Sequence, residues 1–152
     1  MIRQKLQFTK DGYEKLISDL KTDTEKRKEA VVRLRTAREM GDLSENGAYK
    51  AARFELSTID RNIRRLTYLI RIGKIIERAD TDTADIGKKI ILYDGEHDFE
   101  FMLVNTFESD PKNQKLSTNS PVGHAVYGKK AGENITVNSP GGVKNYKIMS
   151  IK

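Results

Sequence analysis

Two carboxylates, Asp42 and Glu45, stand three residues apart in the segment Gly41-Asp42-Leu43-Ser44-Glu45-Asn46. Two kinds of chemistry suit that spacing. At the start of a helix, an acid at the N-cap and a second acid at the third helical position satisfy free backbone N–H groups. Projected forward instead, the pair offers hard oxygen ligands to a divalent cation. Mg2+ is usually held by one or two protein carboxylates, with water and phosphate completing its shell. Two carboxylates by themselves hold it poorly, so this second reading needs further ligands from a partner. The spacing alone leaves both readings open.

The acids are bracketed by cations, with Arg33, Arg35 and Arg38 before them and Lys50 and Arg53 after. A solvated helix face accounts for such residues without further function. Around an acidic point, however, they also form a candidate surface for RNA phosphates, an attraction that depends on salt and reads no base. The chain has no Cys, which excludes disulfides and thiolate metal sites. Its two histidines, His97 and His124, have no second histidine or cysteine nearby, and no metal site is expected at either.

The elements that must carry this tip fall into two periods. Residues 10–40 lack Pro, and their single Gly is Gly12. Thr9 is the expected N-cap, after Phe8 as a staple residue. Tyr13, Leu16, Ile17 and Leu20, then Val31, Leu34 and Ala37, keep helical spacing. Thr24 and Arg27 interrupt the stripe where a seam wants apolar groups. In the second stretch Tyr49, Ala52, Leu56, Ile59, Ile63, Leu66 and Ile70 alternate steps of three and four, the mark of a coiled coil. Gly73 stands where the stripe ends, and strand-like sequence begins soon after it. The connection around Gly41 is short enough to force the two helices into an antiparallel pair. About 30 residues per helix at ~1.5 Å each make a hairpin roughly 45 Å long.

From about residue 80 the period changes. Residues 80–85 read as a linker. Lys88–Tyr93 and Phe99–Phe107 read as strands around an Asp94-Gly95 turn, with a loop at 109–113. Leu116–Asn119, Ile135–Asn138 and Val143–Ile151 complete a sheet, the last two joined at Pro140-Gly141-Gly142. Residues 122–127 suit a short helix with Pro121 at its first position. The fold class expected is α+β in two domains: an N-terminal antiparallel coiled-coil hairpin over 1–79 and a small α+β domain over 80–152.

Of the 152 residues, 37% are hydrophobic and 33% charged, which disfavours a single thick core. No apolar run reaches the length of a membrane span, and the N-terminal residues lack a signal-peptide core. A cytoplasmic location is expected. The net charge of +6 is uneven. Residues 1–78 hold 19 Lys+Arg against 12 Asp+Glu, and the remainder 9 against 10. The field of the first half favours nucleic acid or an acidic protein channel. Membrane contact is disfavoured, because no bulky apolar face backs the cations.

Gly41-Asp42-Leu43-Ser44-Glu45-Asn46-Gly47-Ala48-Tyr49, just after Ala37-Arg38-Glu39, resembles the tip signature of the bacterial Gre factors, GreA and GreB. Phe8-Thr9-Lys10-Asp11-Gly12-Tyr13-Glu14-Lys15-Leu16 resembles the start of their first helix. Ser120-Pro121-Val122-Gly123-His124-Ala125 and Ser139-Pro140-Gly141-Gly142 are similar to motifs of their C-terminal domain. The resemblance spans nearly the whole chain, in the right order, and the tip is its most specific part. Ser44 and residues 60–69 look nearer to GreB than to GreA. Ala48 departs from the pattern, since family members often carry another acid there.

The resemblance implies an FKBP-like C-terminal domain that docks on bacterial RNA polymerase, and a hairpin that enters the polymerase secondary channel. It implies that Asp42 and Glu45 are the catalytic and metal-binding pair. They would share a second Mg2+ with the polymerase while Arg33, Arg35, Arg38, Lys50 and Arg53 contact the backtracked RNA 3′ end. The chain would then be a monomeric accessory factor for transcript cleavage, and not itself an enzyme. Three alternatives remain: an inhibitory paralogue that blocks the channel, a nucleic-acid-binding coiled coil whose tip is only a capped turn, and a prolyl isomerase. The last is disfavoured by an aromatic content of 7% and the absence of Trp.

Overall fold

The computed structural model describes residues 6–42, 44–77 and 81–152. The boundary expected at 79/80, the beginning of the 80–85 linker, the N-terminal residues 1–5 and Leu43 of the tip lie outside them. By its contacts the chain divides into two units. One is Tyr13–Gly73. The other is Lys74–Lys152, joined by the described residues that precede Tyr13.

The first unit is an antiparallel pair of helices, α1 (Lys10–Glu39) and α2 (Gly47–Ile72). At ~1.5 Å per residue they run roughly 45 and 39 Å. Thr9 caps α1 as expected, its hydroxyl accepting the Gly12 N–H at 3.0 Å. The apolar stripe of α2 faces the partner helix. Leu66 and Leu69 are buried near the base of the hairpin, as is Leu16 of α1. Towards the tip the buried seam residues are Ala30, Ala37 and Ala52. Burying a Leu contributes about 1.5–3 kcal/mol and each CH2 about 0.8, so apolar stabilisation is concentrated at the base.

Polar bonds hold the remainder of the seam. The Tyr13 hydroxyl donates to the Ile70 carbonyl at 3.1 Å. In the weak middle, Thr24 turns its hydroxyl back to the Leu20 carbonyl, and Arg27 reaches Asp60 on α2 at 2.6 Å. Nearer the tip Arg33 pairs with Glu55 at 2.6 Å. The two positions where the apolar pattern fails thus carry a local hydrogen bond and an ion pair across the seam.

The second unit contains a two-stranded sheet of β1 (Leu6–Phe8) with β2 (Gly73–Ile75), extended by the Ile76 N–H donating to the Phe8 carbonyl at 2.9 Å. It also contains a five-stranded sheet: β3 (Lys89–Tyr93), β4 (Asp98–Val104), β5 (Lys115–Ser117), β6 (Asn134–Ser139) and β7 (Gly142–Ile151). The strand order is β5-β4-β3-β7-β6, with β4 and β5 parallel and the other neighbours antiparallel. A short helix, α3 (Pro121–Val126), starts with Pro121 as expected and is capped by Ser120. Its Val126 joins Ile90, Leu92, Phe101, Leu103, Ile135, Val137 and Ile148 in the core. Along β3 and β6 these residues alternate with less buried ones, which is why the period of two was readable.

Three local expectations are corrected. The strand expected to reach Phe107 stops at Val104, because the buried Asn105 accepts the Phe107 and Glu108 N–H groups and turns the chain into a 3-10 turn over Thr106–Glu108. The strand expected at 116–119 is Lys115–Ser117. In the run of Thr and Asp that reads as a linker, Ala84 is 1% exposed, bonded to Lys129 and Gly128 through its N–H and carbonyl.

Candidate functional site

The tip of the hairpin is built by Asn46. Its side-chain oxygen accepts the Tyr49 N–H at 3.0 Å and caps α2. Its side-chain amide donates to the Ala37 carbonyl at 2.7 Å, near the end of α1. One residue therefore both starts the second helix and ties it to the first. The capping box of Asp42 and Glu45 weighed from sequence is not formed, since α2 begins at Gly47 and both acids precede its cap. Asn is as good an N-cap as Asp, and the Asn46 amide also adds a second donor to the Ala37 carbonyl, which the Met40 N–H reaches at 3.3 Å. Sequence reasoning passed over it because Asp-x-x-Glu is the more familiar start signal.

Asp42 turns instead onto Ser44. One oxygen, Oδ1, accepts the Ser44 N–H at 3.0 Å and the Ser44 hydroxyl at 2.9 Å, an Asx turn. Gly41 enters the turn at φ +125°, a conformation that costs Gly little and other residues more. The Ser44 N–H, and after it the Ser44 hydroxyl, hold the Asp42 carboxyl below the usual carboxylate range. The Glu45 carboxylate makes no hydrogen bond or ion pair among the described residues. Both acids are exposed. Neither acid is consumed by capping, and Oδ2 of Asp42 has no partner among the described residues.

The basic candidates do not form one surface. Arg33 lies at the edge of the seam, forked onto Glu55 at 2.6 and 3.1 Å and near Glu29 at 3.6 Å. The Glu55 hydrogen bond is the main reason its guanidinium pKa is raised. Arg35 pairs along its own helix with Glu39 at 3.3 Å. Arg38, Lys50 and Arg53 make no ion pair among the described residues. At roughly 100° per residue, Arg33 and Arg35 point to opposite sides of α1.

The free cations gather on α2. Its only acids, Glu55 and Asp60, are drawn across the seam by Arg33 and Arg27. Lys50, Arg53, Arg61, Arg64 and Arg65 carry no counter-charge among the described residues, and Arg71 lies over the Tyr68 ring at 5.6 Å. The three arginines at 61, 64 and 65 were readable as positions off the apolar stripe. Which acids would be neutralised was not, because that depends on how the helices register.

No helix among the described residues is long and apolar enough to cross a membrane. Residues 6–75 match the N-terminal model of the transcription elongation factor family, and residues 79–152 match the GreA/GreB C-terminal model. A transcription elongation factor GreA from Clostridium acetobutylicum is 36% identical, over 98% of both chains. Another, from Geobacillus kaustophilus, is 39% identical over 95% of both. Both carry the GreA name, whereas Ser44 and residues 60–69 had suggested GreB. Among solved structures the chain is similar to the crystal structure of Thermus aquaticus Gfh1, with TM-score 0.47, 25% identity, and 98% and 99% of the two chains covered. The two family models between them account for nearly every residue from the first strand to the last, and this chain is a member of the GreA/GreB family of transcription elongation factors.

Proposed function

We propose that this chain stimulates RNA polymerase to cleave the 3′ end of backtracked RNA, with the hairpin reaching the active site through the secondary channel. One observation carries the reading: Asn46 takes over the capping of α2, and this leaves Asp42 and Glu45 exposed at the tip and free of the helix start. A pair that served only the helix start would be bonded to its backbone.

The donor set fits Mg2+. Both groups are carboxylates, the oxygen ligands this ion prefers. No cluster of three potential ligands occurs among the described residues, so the tip would be half a site, completed by the polymerase. A cation held there would stabilise the attacking and leaving oxygens of phosphodiester hydrolysis. The chain's own contribution is positional. The Ser44 bonds fix one oxygen of Asp42 and keep its carboxyl ionised, leaving the other oxygen without a partner among the described residues. Glu45 is one residue from the Asn46 cap, so its backbone is anchored where its side chain is not. The cations of α2 would attract the extruded RNA through its phosphates. The cleavage is then the polymerase's, and this chain is its accessory factor.

The test is a stalled, backtracked transcription complex with Mg2+. Wild type accelerates RNA cleavage, while Asp42→Asn and Glu45→Gln fall to the unassisted rate and still compete with wild type for polymerase. Cleavage by these variants at the wild-type rate would remove the carboxylates from the mechanism. Inhibition of synthesis by wild type, without cleavage, would assign the chain a blocking function instead.

A further inference from the structure

Phe54 is the most exposed aromatic residue of the hairpin, at 72%. It sits on α2 roughly 200° of arc from the seam residue Ala52, pointing away from α1. Lys50 lies one turn before it, Arg53 beside it and Arg61 two turns after. None of these cations has an ion pair among the described residues. The two acids that could have shielded them are already paired with Arg27 and Arg33 of α1. The neighbouring Thr58 turns its hydroxyl back to the Phe54 carbonyl at 3.0 Å, so it adds no polar cover.

A lone exposed apolar residue needs no explanation. A large aromatic in the middle of an acid-free cationic face is a different arrangement. It combines the two elements of single-strand recognition, a positive track for phosphates and a π-face for a base. At 72% exposure the Phe54 ring adds little to the burial that holds the seam. Further down the same face Tyr68 is 46% exposed, but the Arg71 guanidinium already covers its ring. Phe54 is the open platform.

We propose that Phe54 stacks on an unpaired RNA base while Lys50, Arg53 and Arg61 hold the flanking phosphates. The inference rests on the reading that the hairpin meets RNA, and it adds a base contact to what would otherwise be charge attraction alone. Stacking accepts any base, so it would hold RNA of any sequence in register beside the tip.

The experiment compares labelled oligoadenylate with an abasic ribose-phosphate strand of equal length, each titrated with the full chain at low salt. Wild type should bind the adenylate more tightly. Phe54→Leu should lose about tenfold on the adenylate, the contribution of one stacked base, and nothing on the abasic strand. Its melting temperature should stay unchanged, since the side chain is exposed. The chain has no Trp, so Phe54→Trp introduces one reporter, whose emission should be quenched by adenylate and not by the abasic strand. Arg61→Gln should weaken both strands and reduce the salt slope by about one.

Equal wild-type affinity for the two strands, failure to bind either, or an unaffected Phe54→Leu would overturn the proposal. So would a dimer in sedimentation that Phe54→Leu dissolves without changing RNA binding, which would make Phe54 a protein contact. The outcome is separable from the cleavage test. Wild type that stacks RNA but never stimulates cleavage refutes the function proposed above and leaves Phe54 in place. Asp42-dependent cleavage with an indifferent Phe54 does the reverse.

Discussion

Replacing Asn46 by Ala removes two bonds with one change. The cap to Tyr49 is lost, at about 0.5–2 kcal/mol for a typical N-cap. The bond to the Ala37 carbonyl is lost as well, at about 0.5–1.5 kcal/mol net. Near the tip the buried seam residues are alanines, so little apolar burial is available to offset these losses. The sum is about 2 kcal/mol. For a unit of this size 1 kcal/mol shifts the melting point by roughly 4–8 °C, so the helical transition followed by far-ultraviolet circular dichroism should fall by about 10 °C. Asn46→Asp keeps an acceptor for Tyr49 but faces the Ala37 carbonyl with an oxygen, and should show about half that shift. Asp42→Asn and Glu45→Gln should melt with wild type. If Asn46→Ala melts normally while Asp42→Asn falls, the cap lies at Asp42 and the case for free tip carboxylates collapses.

The other expectations are shorter. A carboxyl titration followed by NMR should place Asp42 below the ordinary carboxylate midpoint of ~3.9, and Ser44→Ala should bring it partly back by removing the hydroxyl bond. The sign follows: a depressed folded pKa adds stability above the ordinary value, and this is lost as pH falls through the folded one. The tip turn should therefore loosen only in acid, while neutral pH leaves the carboxylate charged. Gly→Ala in a helix ordinarily stabilises by up to about 1 kcal/mol. Gly12→Ala should do the opposite, because its Cβ would fall inside the Glu108 carboxylate, which holds the Thr9 N–H and hydroxyl and the Asn105 amide. Thermal melts of Gly12→Ala, Glu108→Ala and the double variant should show the double change costing less than the sum of the singles; simple additivity would mean that the carboxylate moves aside freely.

The amino-acid sequence by itself determined the helices, the antiparallel hairpin, the place of the acidic loop and most of the strands. Each follows from a period or a turn signal that recurs within a few residues: the three-four stripe from Tyr49 to Ile70, the alternation around Ile90 and Leu92, the glycine at 41. Tertiary structure decided what those local signals leave degenerate. Asp42, Ser44, Glu45 and Asn46 could each satisfy an N–H at a helix start; only Asn46 lies where its amide also reaches Ala37. Arg33 and Arg27 read as two more cations of a basic stretch, yet the register of α1 against α2 sets them opposite Glu55 and Asp60, so that the four charges pair with one another. Arg33 and Arg35, grouped by sequence, are separated by helical rotation and paired with acids, while Arg61, Arg64 and Arg65 remain free. The burial of Ala84 depends on a partner 20 or more residues away, Lys129, and the Asn105 side chain that ends β4 is held from the other side by the Gln7 carbonyl. The loop from Gly41 to Asn46 is visible in the sequence. Whether its carboxylates cap the second helix is decided by where Asn46 can bond both helices, and no local pattern encodes that.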